Sequence, residues 1–380
     1  MLYLNKIYKN NYNIILIIAI KKKLINLLNS IGYKIGIFIY GKITNSIKAK
    51  KNSLIEVLIS KVDNSFYTIF KIKNCRIYTD TVTDTAFILD NSIIEGPSFQ
   101  HREGKNAEVI KNIVITKGTP RLKKKIKGTV FSLLTGGGGN SNYWHWLLDV
   151  LPRINILESK IDLQSIDYFL FPDLKENFQK ETLDLINIPH NKRISSKIFR
   201  HIHADTALAV DHPYIFKNYP TEEIQNIPKW ILNDLRKKFL KKEISKNFPR
   251  KIYIDRSDSK SNHRNLRKIT NEDEVVDYLK KEGFSIIRLG DLNFVDQVNL
   301  FNNASHIIGL HGAGFANLVF CKPNTFVLEF KSLTAGNVIG NLARNLNINF
   351  NEIARKPLSE DNNQQGLISV PIELIKRKLS

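Results

Sequence analysis

The stretch His306-Ile307-Ile308-Gly309-Leu310-His311-Gly312-Ala313-Gly314-Phe315-Ala316-Asn317 decides the fold class. An apolar run of strand length enters a turn of small residues and continues into a second apolar segment. This is the pattern of a buried strand that delivers its C-terminal end to a helix start. The same alternation surrounds it. Lys251-Ile252-Tyr253-Ile254 reads as a strand, 271–283 as a helix closed by Gly283, 285–289 as a strand, 294–303 as a helix and 326–330 as a further strand. Asn271 with Glu274 three residues later has the form of a capping box. Strands alternating with helices predict an α/β protein with a parallel sheet, whose ligands lie beyond the C-terminal ends of its strands.

Towards the N-terminus, 167–171 and 202–210 read as strands and 178–188 and 229–242 as helices. Residues 67–97 alternate apolar and polar with Thr-rich turns, which predicts a small antiparallel β section. The basic stretch 117–127, with Gly118 and Pro120, reads as an exposed loop. Two Rossmann-like halves facing a cleft result, 121–245 and 246–356. Before them come a basic amphipathic segment, 1–45, and the β-rich section, 46–120; after them comes a tail or helix, 357–380.

A length of 380 residues suits two such domains. The net charge of +21, from 57 Lys+Arg against 36 Asp+Glu, attracts anionic partners. A basic nucleic-acid-binding protein without sugar chemistry is therefore the competing class. The lysines are scattered, however, and no nucleic-acid-binding signature accompanies them, so no nucleic-acid partner is expected. Two cysteines, Cys75 and Cys321, exclude a disulfide framework and suit a reducing compartment.

The apolar run 14–20, followed by Lys21-Lys22-Lys23, is far shorter than the ~20 residues of a membrane span and precedes no cleavage site. A cytoplasmic location is expected. Ile17, Ile20, Leu24, Leu27 and Ile31 form one helical stripe that Gly32 would end. Such a helix is expected to pack on its own domain. The alternative is peripheral contact with an anionic membrane at its inner face.

Three constellations carry groups suited to chemistry. In the first, Gly136-Gly137-Gly138-Gly139 opens a helix on which Asn142, His145 and Asp149 share a face, with Arg153 beyond Pro152. A His and a carboxylate so placed can take a proton from an attacking hydroxyl. In the second, Arg256 and Ser257 follow a strand, where a guanidinium can grip a diphosphate, and Arg264 and Arg267 follow in a polar loop. The third is the opening stretch itself, where Gly312 and Gly314 can take positive φ and leave space above the helix start, and His311 can donate to a phosphate or sugar oxygen. Glu329 ends the next strand, where a carboxylate suits ribose hydroxyls.

Residues 142–153, 250–257 with the helix of Asn271-Glu272-Asp273-Glu274-Val275-Val276, and 305–317 resemble glycosyltransferase family 61. That family includes plant β-1,2-xylosyltransferase, animal protein O-GlcNAc transferases and bacterial capsular-polysaccharide proteins. The resemblance covers roughly 130–331. It implies a GT-B fold, a nucleotide-sugar donor, a glycan or lipid-linked glycan acceptor, inversion at the anomeric carbon and no metal. On this basis His145 and Asp149 are the catalytic candidates, and 121–245 is the acceptor domain. Arg256, Ser257, His311, Gly312, Ala313, Gly314, Asn317 and Glu329 are the donor-binding candidates in the nucleotide-sugar domain 246–356. Gly139, Asn142, Arg153 and Arg264 are candidate acceptor or phosphate contacts.

No Asp-x-Asp, the carboxylate pair that holds a donor cation in metal-dependent sugar transferases, is present. No cofactor or metal is therefore expected. The competing metal reading, a hydrolase, would use His201, His203 and Asp205, which alternate along one strand.

Overall fold

The computed structural model describes residues 2–81, 84–102, 105–137, 141–214, 225–240, 247–257, 267–358 and 367–380. Gly139 and Arg264 therefore lie outside the described residues. The chain is mixed α/β, built on two main sheets.

The first sheet begins with β1 (Asn45–Lys48), β2 (Ile55–Val62), β3 (Ser65–Thr79), β4 (Thr85–Leu89) and β5 (Ser92–Glu95). A hairpin of β6 (Gln100–Arg102) and β7 (Lys105–Ala107) pairs only with itself. The sheet is completed by β8 (Lys124–Ser132), β9 (Tyr168–Phe171), β10 (Arg193–Ser195) and β11 (His201–Val210). β2, β3, β4 and β5 form the expected antiparallel meander. It is not a separate appendage, because β3 pairs along most of its length with β11, from Tyr78↔His201 to Ile69↔Val210. Four strands are mutually parallel, in the spatial order β10-β9-β8-β11. In chain order that is 3-2-1-4, so the connection reverses direction between β8 and β11.

The second sheet holds β12 (Lys251–Asp255), β14 (Ser285–Arg288), β15 (His306–Leu310), β16 (Phe326–Ser332) and β17 (Asn349–Arg355). All its pairings are parallel, in the order β14-β12-β15-β16-β17. Here the reversal lies between β12 and β15. In such sheets the crevice beyond the strand ends at the reversal point receives ligands. Ile252, Tyr253 and Ile254 are buried, as are Ile307 to Leu310, because a central parallel strand is covered on both faces. One apolar cluster includes Phe131 of the first sheet's β8 and Leu133 just after it, Ile252 and Ile254 of β12, and Leu318, Val319 and Phe320 between β15 and β16.

Several local expectations change. Residues 117–127 are not all loop, since β8 begins at Lys124. Asn271 does not cap its helix. Its side chain bonds the backbone of Val370 through both ends, close to the small pairing of β13 (Lys268–Ile269) with β18 (Leu367–Ile368). The capping box belongs instead to helix Asn177–Leu185, through Glu176 and Gln179.

Gly32 does not end the first helix, which runs Leu2–Tyr40 and stops at Gly41, φ +81°. Nor does its apolar stripe pack on the domain, since Ile20, Leu24, Leu27 and Ile31 are all exposed; the Ile17 side chain lies outside what is described. Among the described residues, no helix is long and apolar enough to cross a membrane.

Candidate active site

Each reversal point carries one of the constellations. At the first, β8 leads through Leu133 and Leu134 into the glycine turn and then into the helix that begins at Tyr143. Gly136 has φ +72°, and a Cβ there would lie 2.8 Å from the Phe99 ring and 3.2 Å from His212. Both the backbone conformation and the space require glycine. Asn142 caps the helix, its Oδ1 accepting from Trp144 N at 2.9 Å.

The helix then widens. Trp146–Val150 form a π-helical turn in which Leu151 N donates to Trp146 O at 3.1 Å. Pro152, having no N–H, cannot continue the regular ladder, and helix Pro152–Glu158 follows. Such π turns occur often at functional sites.

His145 Nδ1 and Asp149 Oδ2 are 2.6 Å apart across this turn. The His145 side chain is 37% exposed and that of Asp149 only 5%. Tyr214 Oη donates to the other Asp149 oxygen, and His212 Nε2 lies 4.0 Å from Oδ2. Both residues follow β11 and are buried. Burial opposes the charge on Asp149, but His145, then His212 and the Tyr214 hydroxyl, more than offset it and hold the carboxyl below its ordinary range. Burial likewise opposes protonation of His145, while the Asp149 carboxylate outweighs it and raises the imidazole. The Tyr214 phenol is pushed well up by burial, and the Asp149 charge adds to this.

Arg153 is fully buried beneath the dyad. Its Nε donates to Asp149 O and its Nη1 to Leu133 O, each at 2.9 Å, so it ties the helix to the end of β8. Burial pushes the guanidinium down to about 10, against the pull of Asp149 and Tyr214. Arg153 Nη2 has no hydrogen-bond partner among the described residues.

At the second reversal point, Arg256 follows β12 and His311 follows β15. Arg256 Nη1 donates to His311 O, and Arg267 Nη1 reaches the same carbonyl at 3.3 Å. Burial, then the neighbouring Arg256 charge, lowers the Arg267 guanidinium to about 10, and Glu329 works against the fall. Two cations converging on one neutral carbonyl create a strongly positive position.

Gly312 and Gly314 do not take positive φ. Gly312 is extended, with φ 174°, and its role is close approach: a Cβ there would lie 3.0 Å from Arg256 Cζ. At Gly314 a Cβ would lie 2.8 Å from Leu289 Cδ1. His311 Nδ1 is bonded to Glu329 Oε1, both residues being buried. Glu329 Oε2 has no partner among the described residues. Ser257 turns back on Asp255, with N to Oδ1 and Oγ to Oδ2 both 2.8 Å.

A side-chain hydrogen bond joins the two points. Tyr143 Oη donates to Asn317 Oδ1 at 2.6 Å. Asn317 lies in the 3-10 helix Ala313–Phe320 that follows the small-residue turn. Its Nδ2 donates to Gln297 Oε1 at 3.1 Å, and the whole residue is buried. Tyr143 thus stands two residues before His145, and Ala313 two after His311, on elements in direct contact. Tyr143→Phe would strand the buried Asn317 oxygen and is expected to cost about 1–3 kcal/mol. Urea unfolding would measure the loss.

His201, His203 and Asp205 go to separate partners. His201 Nδ1 is on Arg121 O at 2.8 Å, and Asp205 accepts from Gly128 N at 2.9 Å. Among the described residues, no group of three or more His, Cys, Asp or Glu could hold a metal ion.

The chain matches the family described as Glycosyltransferase 61 over residues 143–328, from the start of the His145 helix to within β16. A mouse (Mus musculus) EGF domain-specific O-linked N-acetylglucosamine transferase is 38% identical over 68 residues, or 17% of this chain and 13% of that protein. The chain thus matches only a small share of that relative's length. The matched segment starts at the helix that follows β8 and contains β11, the second reversal point and the Tyr143–Asn317 contact.

Sequence reasoning missed His212 and Tyr214. Their signal was position, directly after the strand that borders the first reversal.

Proposed function

We propose that the chain transfers a sugar from a nucleotide-sugar donor to a hydroxyl of a glycan or lipid-linked glycan, without a metal and with inversion. The observation that carries this reading is the half-exposed His145, backed by a buried carboxylate, on an element joined to the one beside the two-arginine site. The sheet orders 3-2-1-4 and 2-1-3-4-5 support a GT-B-like pair of halves, with the donor on the second and the acceptor on the first.

In this reading His145 is the base and Asp149 positions it. Asp149 is too enclosed to meet an acceptor, whereas His145 Nε2 makes no hydrogen bond among the described residues. As the acceptor oxygen bonds to the anomeric carbon, its proton passes to Nε2. The bond from that carbon to the diphosphate oxygen breaks on the opposite face, and its electron pair stays with the leaving group. Arg256 and Arg267 would stabilise the charge that grows there. Glu329 serves His311 in place of the ribose, fixing the buried ring through Nδ1 and so holding the turn on which Arg256 rests. Asn317 acts as the strut between the halves.

A base must be neutral to accept a proton, so activity is lost as pH falls through the His145 pKa. Because Asp149 raises that pKa, kcat/KM is expected to fall with a midpoint above the ~6.5 of an ordinary histidine. Asp149→Asn should move the midpoint downward. A pH–rate profile of the two proteins, with nucleoside diphosphate release as the readout, tests the assignment. An unmoved midpoint would count against it.

A further inference from the structure

The C-terminal end of the first helix, 32–40, packs against the rest of the chain with one face, whereas 20–31 are exposed all round. Its packed face is Tyr33, Gly36, Ile37 and Tyr40, spaced i, i+3, i+4 and i+7. A Cβ on Gly36 would lie 2.7 Å from Pro120 Cα, and one on Gly118 would lie 2.7 Å from Ile37. Tyr40 Oη accepts from Lys123 N at 3.1 Å, and its ring meets His201 edge-on. Ile20, Leu24, Leu27, Leu28, Ile31, Ile35 and Phe38 recur at helical spacing on another face, and all are exposed, Phe38 by 90%. A soluble helix ordinarily turns such a stripe inward. This one turns it away.

Charge indicates what covers it. The helix contains no Asp or Glu. Lys21, Lys23 and Lys34 flank the stripe, Lys22 lies opposite it, and all four are exposed. At the packed end, Lys117 lies over the Tyr33 ring at 5.7 Å and Lys123 over the Tyr40 ring at 5.4 Å. A second copy of the chain would bring like-charged collars together, with no carboxylate on either helix to pair with them. A nucleic acid would leave the apolar residues wet. An anionic lipid surface satisfies both features, taking the stripe at the boundary of headgroups and acyl chains and the lysines among the headgroups. We infer that residues 20–40 form an in-plane docking helix for an anionic membrane, independent of the chemistry at His145.

Co-sedimentation of the full chain with phosphatidylglycerol–phosphatidylcholine vesicles tests this, with pure phosphatidylcholine vesicles as comparison. The chain is expected to pellet with the mixed vesicles and to be released by high salt. Leu24→Gln, Leu28→Gln and Phe38→Gln together should lower partitioning by roughly tenfold or more. The separate variant Lys21→Gln, Lys22→Gln, Lys23→Gln should also lower it while leaving the stripe intact. Failure to pellet with mixed vesicles would overturn the inference, as would binding that neither variant reduces. A lipid-free dimer in sedimentation velocity that the glutamine stripe variant makes monomeric would assign the stripe to a second copy and also overturn it.

Discussion

His145→Ala is expected to lower kcat by about 10²- to 10⁴-fold, the usual range for loss of a general base, with donor affinity within about twofold of the parent. The dyad is the reason. Nδ1 is held on Asp149 at 2.6 Å, so only Nε2 remains to meet an acceptor. Asp149 is itself locked by Tyr214 and flanked by His212 and Arg153. Asp149→Asn should leave the ring in place but remove the charge that stabilises the protonated imidazole, so kcat falls there as well. Steady-state kinetics alongside calorimetric titration of the donor separates the two parameters. Loss of donor affinity together with kcat would show that His145 binds and does not only accept a proton.

Arg256→Ala is expected to weaken nucleoside diphosphate binding by roughly 10- to 100-fold, as loss of a charge-assisted contact worth ~1.5–3 kcal/mol implies. Arg256 lies against Gly312 and donates to His311 O, so the guanidinium is already positioned before an anion arrives. Arg256→Lys should recover only part of the loss, because an ammonium cannot reproduce the planar fork. kcat should fall in addition, since the same charge stabilises the leaving group in the transition state. Titration of the nucleoside diphosphate in EDTA checks the binding effect. Unchanged affinity in Arg256→Ala would place the donor elsewhere.

The second sheet was the most legible part of the chain. Its central strands, β12, β15 and β16, are short runs buried on both faces, and the helix Phe294–Asn303 and strand His306–Leu310 fall where the pattern placed them. Parallel order followed from the alternation, and with it the meeting of Arg256 and His311 at strand ends. The conformation of the turn did not follow. Gly312 was read as able to take positive φ and to leave space; it is extended, and the space it leaves holds a guanidinium. Pattern alone does not distinguish these uses.

The first sheet was harder because its key pairing is long-range. β3 meets β11 more than a hundred residues later, and no local signal shows that a meander will complete a parallel core. For the same reason His212 and Tyr214 stayed hidden, since they reach Asp149 only once β11 lies beside β8. Asn271 shows the reverse error. Its local pattern was a capping box, but the tertiary pairing with Val370 took the side chain. The stripe of the first helix was expected to pack on its domain and at 20–31 it does not, because periodicity reports a stripe and not the direction it faces.

The most direct test of the central claim, a single displacement assisted by His145, is the configuration of the first sugar released. Proton NMR would follow the chain acting in EDTA on an α-linked nucleoside diphosphate sugar, with water or a glycan hydroxyl as acceptor. The account predicts that the β anomer appears first, and that His145→Ala suppresses it. An α anomer appearing first, or release from His145→Ala at the parental rate, would contradict it.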